Sequence, residues 1–260
     1  MTIKVTMLGC GGAGGVPSIS EGWGACNAGN PKNRRRRASI LVQDGHTTVL
    51  VDASPDLREQ LLDAGVNRLD GVVFTHAHAD HIHGLDELRE VNRVMGGPID
   101  AYADAETLQA LEMRFGYAFE PIATGKPMFK PWLVAHDVGE AAAESFMIKT
   151  LSVRSFRQDH GYMPSLGLRF ADVVYSTDIW RMTDAVKDAV RGAKLWIVDA
   201  FTTVPHTTHS HLDQTLAWIA DLKPRRAVIT HMGTKLDYDW VNARCPVGVT
   251  AAYDGMVIEV

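Results

Sequence analysis

Apolar and polar residues alternate from residue 3 to residue 8, and this period of two predicts a β-strand at the start of the chain. Short apolar runs bounded by turn residues recur further along and predict more strands. The predicted strands lie at residues 3–8, 39–43, 47–52, 71–74, 100–103, 146–156, 166–170, 173–176, 195–198, 227–229 and 256–260. Helical spacing and capping signals predict helices at residues 56–62, 85–92, 104–114, 183–191 and 211–222.

The order of these elements is many strands first, then strands that alternate with helices. Apolar strands between helices favour a layered α/β fold with helices on the outside. Between residues 116 and 144 three prolines and a glycine break the pattern, so we expect an irregular excursion over the surface, with a flap above a site as one option. Without repeats or low-complexity segments, we expect a single domain over residues 1–260.

Apolar content, net charge and cysteine number narrow the class of protein. An apolar content of 46% suffices for a sizeable core, and a net charge of −5 disfavours a general nucleic-acid-binding coat. The three cysteines, Cys10, Cys26 and Cys245, are widely spaced, which suits a reducing cytoplasm. We found neither a signal sequence nor an apolar run of membrane-spanning length, so we expect a cytoplasmic protein with no membrane contact.

Histidines and an aspartate cluster where the apolar run 71–74 ends. His76, His78, Asp80 and His81 fall within six residues. Alternate residues of an extended segment face the same way, so His76 and His78 can share one metal ion. Asp80 and His81 follow at the turn and can bind a second ion beside it. One histidine would more often be a packing residue, but this density predicts a metal site.

Several later strands also end in histidine or aspartate. The strand-end residues are Asp52, His76, Asp178, Asp199 and His231, and His160 lies in a polar turn between two strands. Layered α/β folds carry their chemistry at such ends. Each residue alone is more often a cap or a satisfied polar group. Together they supply more ligands than one closed tetrahedral site needs, which indicates an open, hydrolytic site, often with two metals.

Two other segments allow alternative interpretations. The loop from Gly9 to Pro17 resembles a phosphate-cradling loop, but no helix follows it, so a nucleotide-binding fold is the weaker interpretation. Its glycines more simply let the backbone pass close to packing groups or to the site. The basic run Arg34–Arg37 is favoured as a solvated loop, and the alternative is that one or two arginines bind a substrate phosphate.

The ligand pattern over the whole chain resembles that of the metallo-β-lactamase superfamily of dinuclear hydrolases. The resemblance implies a four-layer αβ/βα sandwich and two divalent ions, for which imidazole and carboxylate ligands suit zinc, manganese or iron. It implies a first ion held by His76, His78 and His160, a second held by Asp80, His81 and His231, and Asp178 as a bridge between them.

Within the superfamily, the chain resembles the phosphodiesterases that open phosphoribosyl 1,2-cyclic phosphate. The segments Gly9–Pro17, Asn30–Arg34 and Ala252–Met256 carry this resemblance, and tRNA 3′-processing endonucleases are more distant relatives. That branch often has a separate structural zinc on a Cys-x-Cys-x-x-Cys cluster. Only Cys26 matches the cluster, since Glu21 and Trp23 stand at the other positions and Thr234 replaces a branch histidine. We therefore expect this zinc to be absent.

For the reaction, two nearby cations would lower the pKa of a shared water, and the resulting hydroxide would attack phosphorus. Asp80 is assigned to the catalytic centre as well as to the metal. His209 is the candidate acid for the leaving oxygen and His206 the candidate substrate contact, against the alternative of a polar loop with incidental histidines. Asp52 and Asp199 are expected to orient ligand imidazoles.

Other functions stay open at this point. The same metals can hydrolyse a carboxylic ester, lactone or thioester. From another class, a non-catalytic RNA-binding or metal-sensing protein is the further alternative, which the acidic charge and the open ligand set disfavour. The expected partner is a small phosphodiester or nucleotide, without general nucleic-acid binding, and a homodimer is left open.

Overall fold

The computed structural model describes residues 2–123, 125–139 and 145–260. The strands are β1 (Lys4–Gly9), β2 (Ser39–Gln43), β3 (Thr48–Val51), β4 (Gly71–Val73), β5 (Ile99–Ala103), β6 (Leu133–Asp137), β7 (Ser145–Ile148), β8 (Leu151–Asp159), β9 (Pro164–Phe170), β10 (Val173–Ser176), β11 (Leu195–Asp199), β12 (Arg226–Thr230), β13 (Val249–Ala251) and β14 (Val257–Glu259). The α-helices are α1 (Leu57–Ala64), α2 (Ala79–Ile82), α3 (Leu88–Met95), α4 (Ala105–Phe119), α5 (Asp184–Val190), α6 (Leu212–Leu222) and α7 (Tyr238–Asn242).

Across the described ranges the strands form two seven-stranded mixed sheets. The first has the order β14-β1-β2-β3-β4-β5-β6, and the second has the order β13-β12-β11-β10-β9-β8-β7. In each sheet four consecutive strands are parallel, β3 to β6 in the first and β10 to β13 in the second. Parallel strands bring their carboxyl ends to one edge, so residues that follow them lie close together.

Alternation along the central strands explains why both faces of each sheet are buried. In β10, Val173 and Tyr175 face the core between the sheets, while Val174 faces the outer helices. In β11, Ile197 faces inward and Trp196 outward, and both are fully buried. A parallel strand covered on both sides needs apolar residues at every position, and this produces the continuous runs seen in the sequence.

Helices cover the outer face of each sheet. Leu57 of α1 and Leu111 of α4 pack with Phe74 over the first sheet. Val186 of α5 and Ile219 of α6 pack over the second. The predicted four-layer αβ/βα sandwich is therefore confirmed. In the described part of the chain, no helix has both the length and the apolar character that crossing a membrane requires.

The prediction for residues 116–144 was wrong in two places. Helix α4 continues to Phe119, and the later segment Leu133–Asp137 forms β6, the edge strand that pairs with β5. The backbone of Phe115 is not helical, with a φ of −131° and a ψ of 30°, so α4 is kinked one residue after its predicted end and then continues to Phe119. The remaining residues of the prediction include 124 and 140–144, which lie outside the described residues.

A second difference concerns the predicted strand 146–156. It is a hairpin of β7 and β8, and the chain turns at Lys149, which has a left-handed φ of 49°. Lysine gives no turn signal, so the sequence pattern did not reveal the break. The prediction also missed β13, a three-residue strand at the sheet edge.

The turn after the histidine cluster packs tightly against the loop after β3. Gly84 N donates to Ala53 O at 2.8 Å, and a methyl group added at Gly84 would lie 1.8 Å from the backbone oxygen of Ser54. Such an overlap with backbone cannot be relieved by a side-chain rotation. Gly97, in contrast, has no atom within 4 Å of the corresponding position.

We therefore expect Gly84→Ala to lower the free energy of unfolding by about 1–3 kcal/mol, because overpacking forces the backbone to shift. Gly97→Ala serves as the matched control and should change stability little. Equilibrium denaturation by urea measures both. Equal stability of the two variants would contradict the close approach at Gly84.

Candidate metal centre

The site residues lie at the carboxyl ends of parallel strands from both sheets. Asp52 follows β3, Asp178 lies just beyond β10, Asp199 ends β11 and His231 follows β12. Asp52, Asp178 and His231 have left-handed φ values of 64°, 53° and 56°. This conformation is unfavourable for residues with a Cβ atom, and it recurs where a site depends on side-chain direction. In this chain the left-handed residues closely follow their strands, at the edge of the sandwich where the site residues meet.

A first group of ligand atoms forms around His78. His76 and His78 lie in the extended segment before α2, and His160 lies in the turn after β8. His78 Nδ1 is 3.0 Å from His76 Nε2 and 3.2 Å from His160 Nε2. Asp178 Oδ1 lies 3.5 Å from His160 Nε2, and ligand atoms of all four residues are within 4.8 Å of one another.

A second group forms on the other side of Asp178. Asp80 and His81 come from α2, and His231 comes from the end of β12. His81 Nε2 lies 3.1 Å from Asp80 Oδ2 and 3.2 Å from Asp178 Oδ2, and His231 Nε2 lies 3.4 Å from Asp178 Oδ2. The two oxygens of Asp178 thus face different groups. The structure brings together all seven residues predicted as metal ligands.

Hydrogen bonds outside these groups select the ring nitrogen that points inward. His160 Nδ1 donates to the Thr208 carbonyl at 2.7 Å, which leaves its Nε2 lone pair free. His81 Nδ1 donates to Asp52 Oδ2 at 2.7 Å. Thr75 Oγ1 donates to Asp52 at 2.9 Å and accepts from His76 Nδ1 at 3.0 Å. Such partners orient metal ligands and increase their basicity.

Two inward nitrogens have only carboxylate oxygens as polar neighbours. His81 Nε2 and His231 Nε2 are buried, make no well-aligned hydrogen bond within the described ranges, and lie in ion pairs with Asp80 and Asp178. Buried polar atoms normally have a well-aligned partner, and a divalent cation between these nitrogens and carboxylates would supply one. The donor set of imidazole nitrogen and carboxylate oxygen also suits such an ion. The residues present therefore fit divalent metal binding.

The pKa shifts of the site histidines also favour metal binding. Burial, reinforced by the neighbouring His81 cation, lowers the pKa of His76 well below its usual value. Burial also lowers the pKa of His78 and His160, so these rings are neutral and ready to bind a metal. For His81 burial acts downward, but Asp80, Asp178 and Asp52 outweigh it and raise the pKa well above its usual value. The carboxylates thus attract positive charge to this side of the site.

The candidate acid His209 lies beside the two groups and is only 12% exposed at its side chain. Its Nδ1 donates to Asp199 Oδ2 at 3.0 Å and lies 3.8 Å from Asp178 Oδ1. Asp199 Oδ1 is 3.7 Å from His231 Nδ1, which is too far for a hydrogen bond. We expected Asp199 to orient a metal-ligating imidazole, but its hydrogen bond orients His209 instead. His206 is half-buried with its ring 5.3 Å from that of His209.

Sequence reasoning missed two neighbours of the site. The Phe201 ring lies 4.9 Å from the His209 ring and packs against Gly12, but no motif marked it. Arg114, on an exposed turn of α4, donates to the carbonyl of Ala77 at 2.5 Å, between two ligand histidines. Helical spacing placed Arg114 at a helix end, with no signal that it reaches the site.

The basic run does not form a freely solvated loop. Arg35 is buried and donates to Asn33 Oδ1 at 3.1 Å. Arg36 pairs with Asp63, and Arg37 pairs with Asp56 at 2.9 Å. The run lines a cavity of about 640 Å³ whose described lining includes no metal-site residue.

The residues at the positions of the family's structural zinc make protein contacts. The Cys26 thiol is buried and donates to the Thr234 carbonyl at 3.5 Å. The Thr234 hydroxyl is hydrogen-bonded to the Glu21 carboxylate. Trp23 lies 6.0 Å from the Arg34 guanidinium. The two contacts of Thr234 join the loop after β1 to the loop that carries His231.

Both the fold and the site are those of a metal-dependent hydrolase superfamily. Residues 47–232 match the profile described as the beta-lactamase superfamily domain, and the chain belongs to this family. The family recognised from the ligand pattern is therefore confirmed.

The chain is similar over its full length to a diphosphatase of the PhnP family whose crystal structure is known. The two sequences are 33% identical and the structures superpose with a TM-score of 0.90, over 100% of this chain and 98% of the other. Zinc-bound PqqB from Methylobacterium extorquens is 21% identical with a TM-score of 0.78, covering 99% and 100% of the two chains, a likeness of fold alone. An octanoyltransferase of Porphyromonas gingivalis is 26% identical over 98% of this chain and 51% of its own length. The chain thus spans about half the length of that relative.

Asp52 offers a test of ligand orientation. In Asp52→Asn the amide can donate toward His81 Nδ1, which favours the wrong tautomer, so we expect metal affinity to fall about 10–100-fold. The matched control is Asp100→Asn. Asp100 Oδ1 is hydrogen-bonded to His136 Nε2 at 2.8 Å, and this pair lies outside the metal site. Competition with a chelator measures affinity. Equal affinities in the two variants would contradict the orienting role.

Metal binding should release protons at neutral pH. Burial lowers the pKa of His231, but Asp178, Asp80 and Asp199 outweigh it and raise the pKa to about 9. Below that pH the ring carries a proton that a cation must displace, so apparent affinity should rise with pH up to about 9. Calorimetry in buffers of different ionisation enthalpy counts the released protons. Binding at pH 7 without proton release would contradict this electrostatic description.

Proposed function

We propose that this chain is a dinuclear metal-dependent phosphodiesterase acting on a small cyclic phosphate or a nucleotide-like phosphodiester. The observation that carries the proposal is the position of Asp178, whose two oxygens face two separate groups of ligand nitrogens. One buried carboxylate can serve two cations, while each imidazole nitrogen serves one. Zinc, manganese and iron all suit these ligands.

The comparisons support phosphoryl chemistry. The similar protein of the PhnP family is a diphosphatase, so cleavage of a P–O–P linkage is the second candidate reaction for the same centre. Both reactions attack a phosphoryl group and release an oxygen leaving group. Hydrolysis of carboxylic esters, lactones or thioesters is the rival, which a lactone panel measured beside bis(p-nitrophenyl) phosphate distinguishes. The single domain, cytoplasmic location and homodimer stay predictions.

We assign metal binding to the seven ligands and proton transfer to His209. Divalent cations held by the seven ligands would supply Lewis-acid chemistry and would lower the pKa of water. His209 donates from Nδ1 to Asp199 Oδ2 at 3.0 Å, and this hydrogen bond fixes the orientation of the ring. Its Nε2 is then the atom that gives a proton to the leaving oxygen. His206, beside His209, is proposed to contact the substrate.

His209→Ala tests the proton donor. We expect both metals to remain and turnover of an alkyl phosphodiester to fall about 10²–10⁴-fold, because an alkoxide must be protonated as it leaves. A p-nitrophenyl ester should lose much less, since nitrophenolate is stable without a proton. The control is His46→Ala, whose histidine is exposed.

The measurements are kcat on the two ester classes and metal content by elemental analysis. Equal losses on good and poor leaving groups would remove His209 from proton transfer. Hydrolysis of lactones but of no phosphodiester or diphosphate would instead overturn the proposed reaction class.

A further inference from the structure

A cavity of about 340 Å³ lies beside the second ligand group and is lined by the glycine loop after β1, by Phe201 and by the loop that follows His231. A methyl group added at Gly12 would lie 2.6 Å from Phe201 Cε2 and 3.5 Å from His231 Cε1. Gly233 N donates to Phe201 O at 2.9 Å, which holds the two walls together. The cavity therefore adjoins the metal centre and is bounded by fixed backbone.

The lining combines one aromatic ring with groups that hydrogen-bond. The Phe201 ring is half-buried and forms one wall. The other side chains are polar, among them Ser18, Ser20 and Thr202. Lys235 stands at the same cavity, 3.4 Å from Glu21, with its side chain 52% exposed. Among the described residues that line the cavity, Phe201 has the only wholly apolar side chain.

This chemistry matches a flat ring joined to a sugar. An aromatic side chain offers a stacking surface for a nucleobase, whatever the base. Hydroxyl groups and an ammonium group can hydrogen-bond ribose hydroxyls. The volume lies within the range of small-molecule sites. His209 and His231 lie 4.9 Å and 6.0 Å from the Phe201 ring, so a nucleoside placed here carries its phosphate toward the metals.

We propose that this cavity binds the nucleoside half of the substrate, and that the enzyme prefers nucleoside phosphodiesters to simple alkyl ones. The inference rests on the proposed phosphodiesterase function, which it deepens by naming the substrate class. Phe201 and the polar loop residues then determine specificity, while the seven ligands and His209 act on the phosphate common to all substrates.

The test adds bulk to the cavity from an exposed loop. Ser20→Trp places an indole at the lining, and Ile19→Trp is the matched control, since Ile19 lies on the same loop, is fully exposed and does not line the cavity. Two esters share the p-nitrophenol leaving group, namely thymidine 5′-p-nitrophenyl phosphate and methyl p-nitrophenyl phosphate. The quantity measured is the ratio of their kcat/KM values in the metal-loaded enzyme.

We expect the wild type to favour the nucleoside ester at least about 10-fold, mainly through KM, because stacking of one base is worth about this factor or more. Ser20→Trp should lower the ratio about 10-fold, and Ile19→Trp should leave it unchanged. A wild-type ratio near one, or equal effects of Ser20→Trp on both esters, would overturn the proposal.

A binding measurement separates failure of this inference from failure of the proposed function. If neither ester is hydrolysed, the phosphodiesterase proposal fails, but calorimetry with adenosine 5′-monophosphate and methyl phosphate still reports on the cavity. Tighter binding of the nucleotide, weakened about 10-fold by Ser20→Trp but not by Ile19→Trp, supports a nucleoside site. Equal affinity for the two phosphates, or no effect of Ser20→Trp, overturns it.

Discussion

The buried carboxylate of Asp178 is the group on which the arrangement of the site depends. It is 1% exposed and stands between two groups of imidazoles. Burial disfavours its charge, yet His231, His81 and His76 hold its pKa well below the usual value. A buried charge is tolerated only when it is paired. Cations shared through its two oxygens would provide that pairing and satisfy the nitrogens that lack hydrogen bonds.

The fold positions this carboxylate through the parallel part of the second sheet. Strands β10, β11 and β12 lie side by side, so Asp178, Asp199 and His231 leave the sheet at one edge. The first sheet contributes Asp52 and the histidine cluster from the opposite side of the core. The site is thus assembled from both halves of the sandwich, and its geometry depends on how the sheets pack. Left-handed backbone at three of these residues is the conformational cost of that convergence.

Much of this could be predicted from sequence because the signals are local. The apolar runs of β10 and β11 predicted buried strands, and the spacing of His76, His78 and His81 predicted metal ligands. Other features depend on contacts between distant segments. Asp199 was expected to orient a ligand imidazole, but its carboxylate at the end of β11 accepts a hydrogen bond from His209 instead. Phe201 and Arg114 carry no sequence signal, since only tertiary packing brings them to the site.

The residues of the site differ in their exposure to solvent. The groups around Asp178 are buried, whereas His78 is exposed and His209 is partly exposed. Substrate would therefore approach along this open side, next to the cavity beside Phe201. Anomalous diffraction from crystals of protein purified without chelators tests the arrangement most directly. We expect two peaks, one in each ligand group, both within coordination distance of Asp178. A single peak, or two peaks of which one does not contact Asp178, would contradict it.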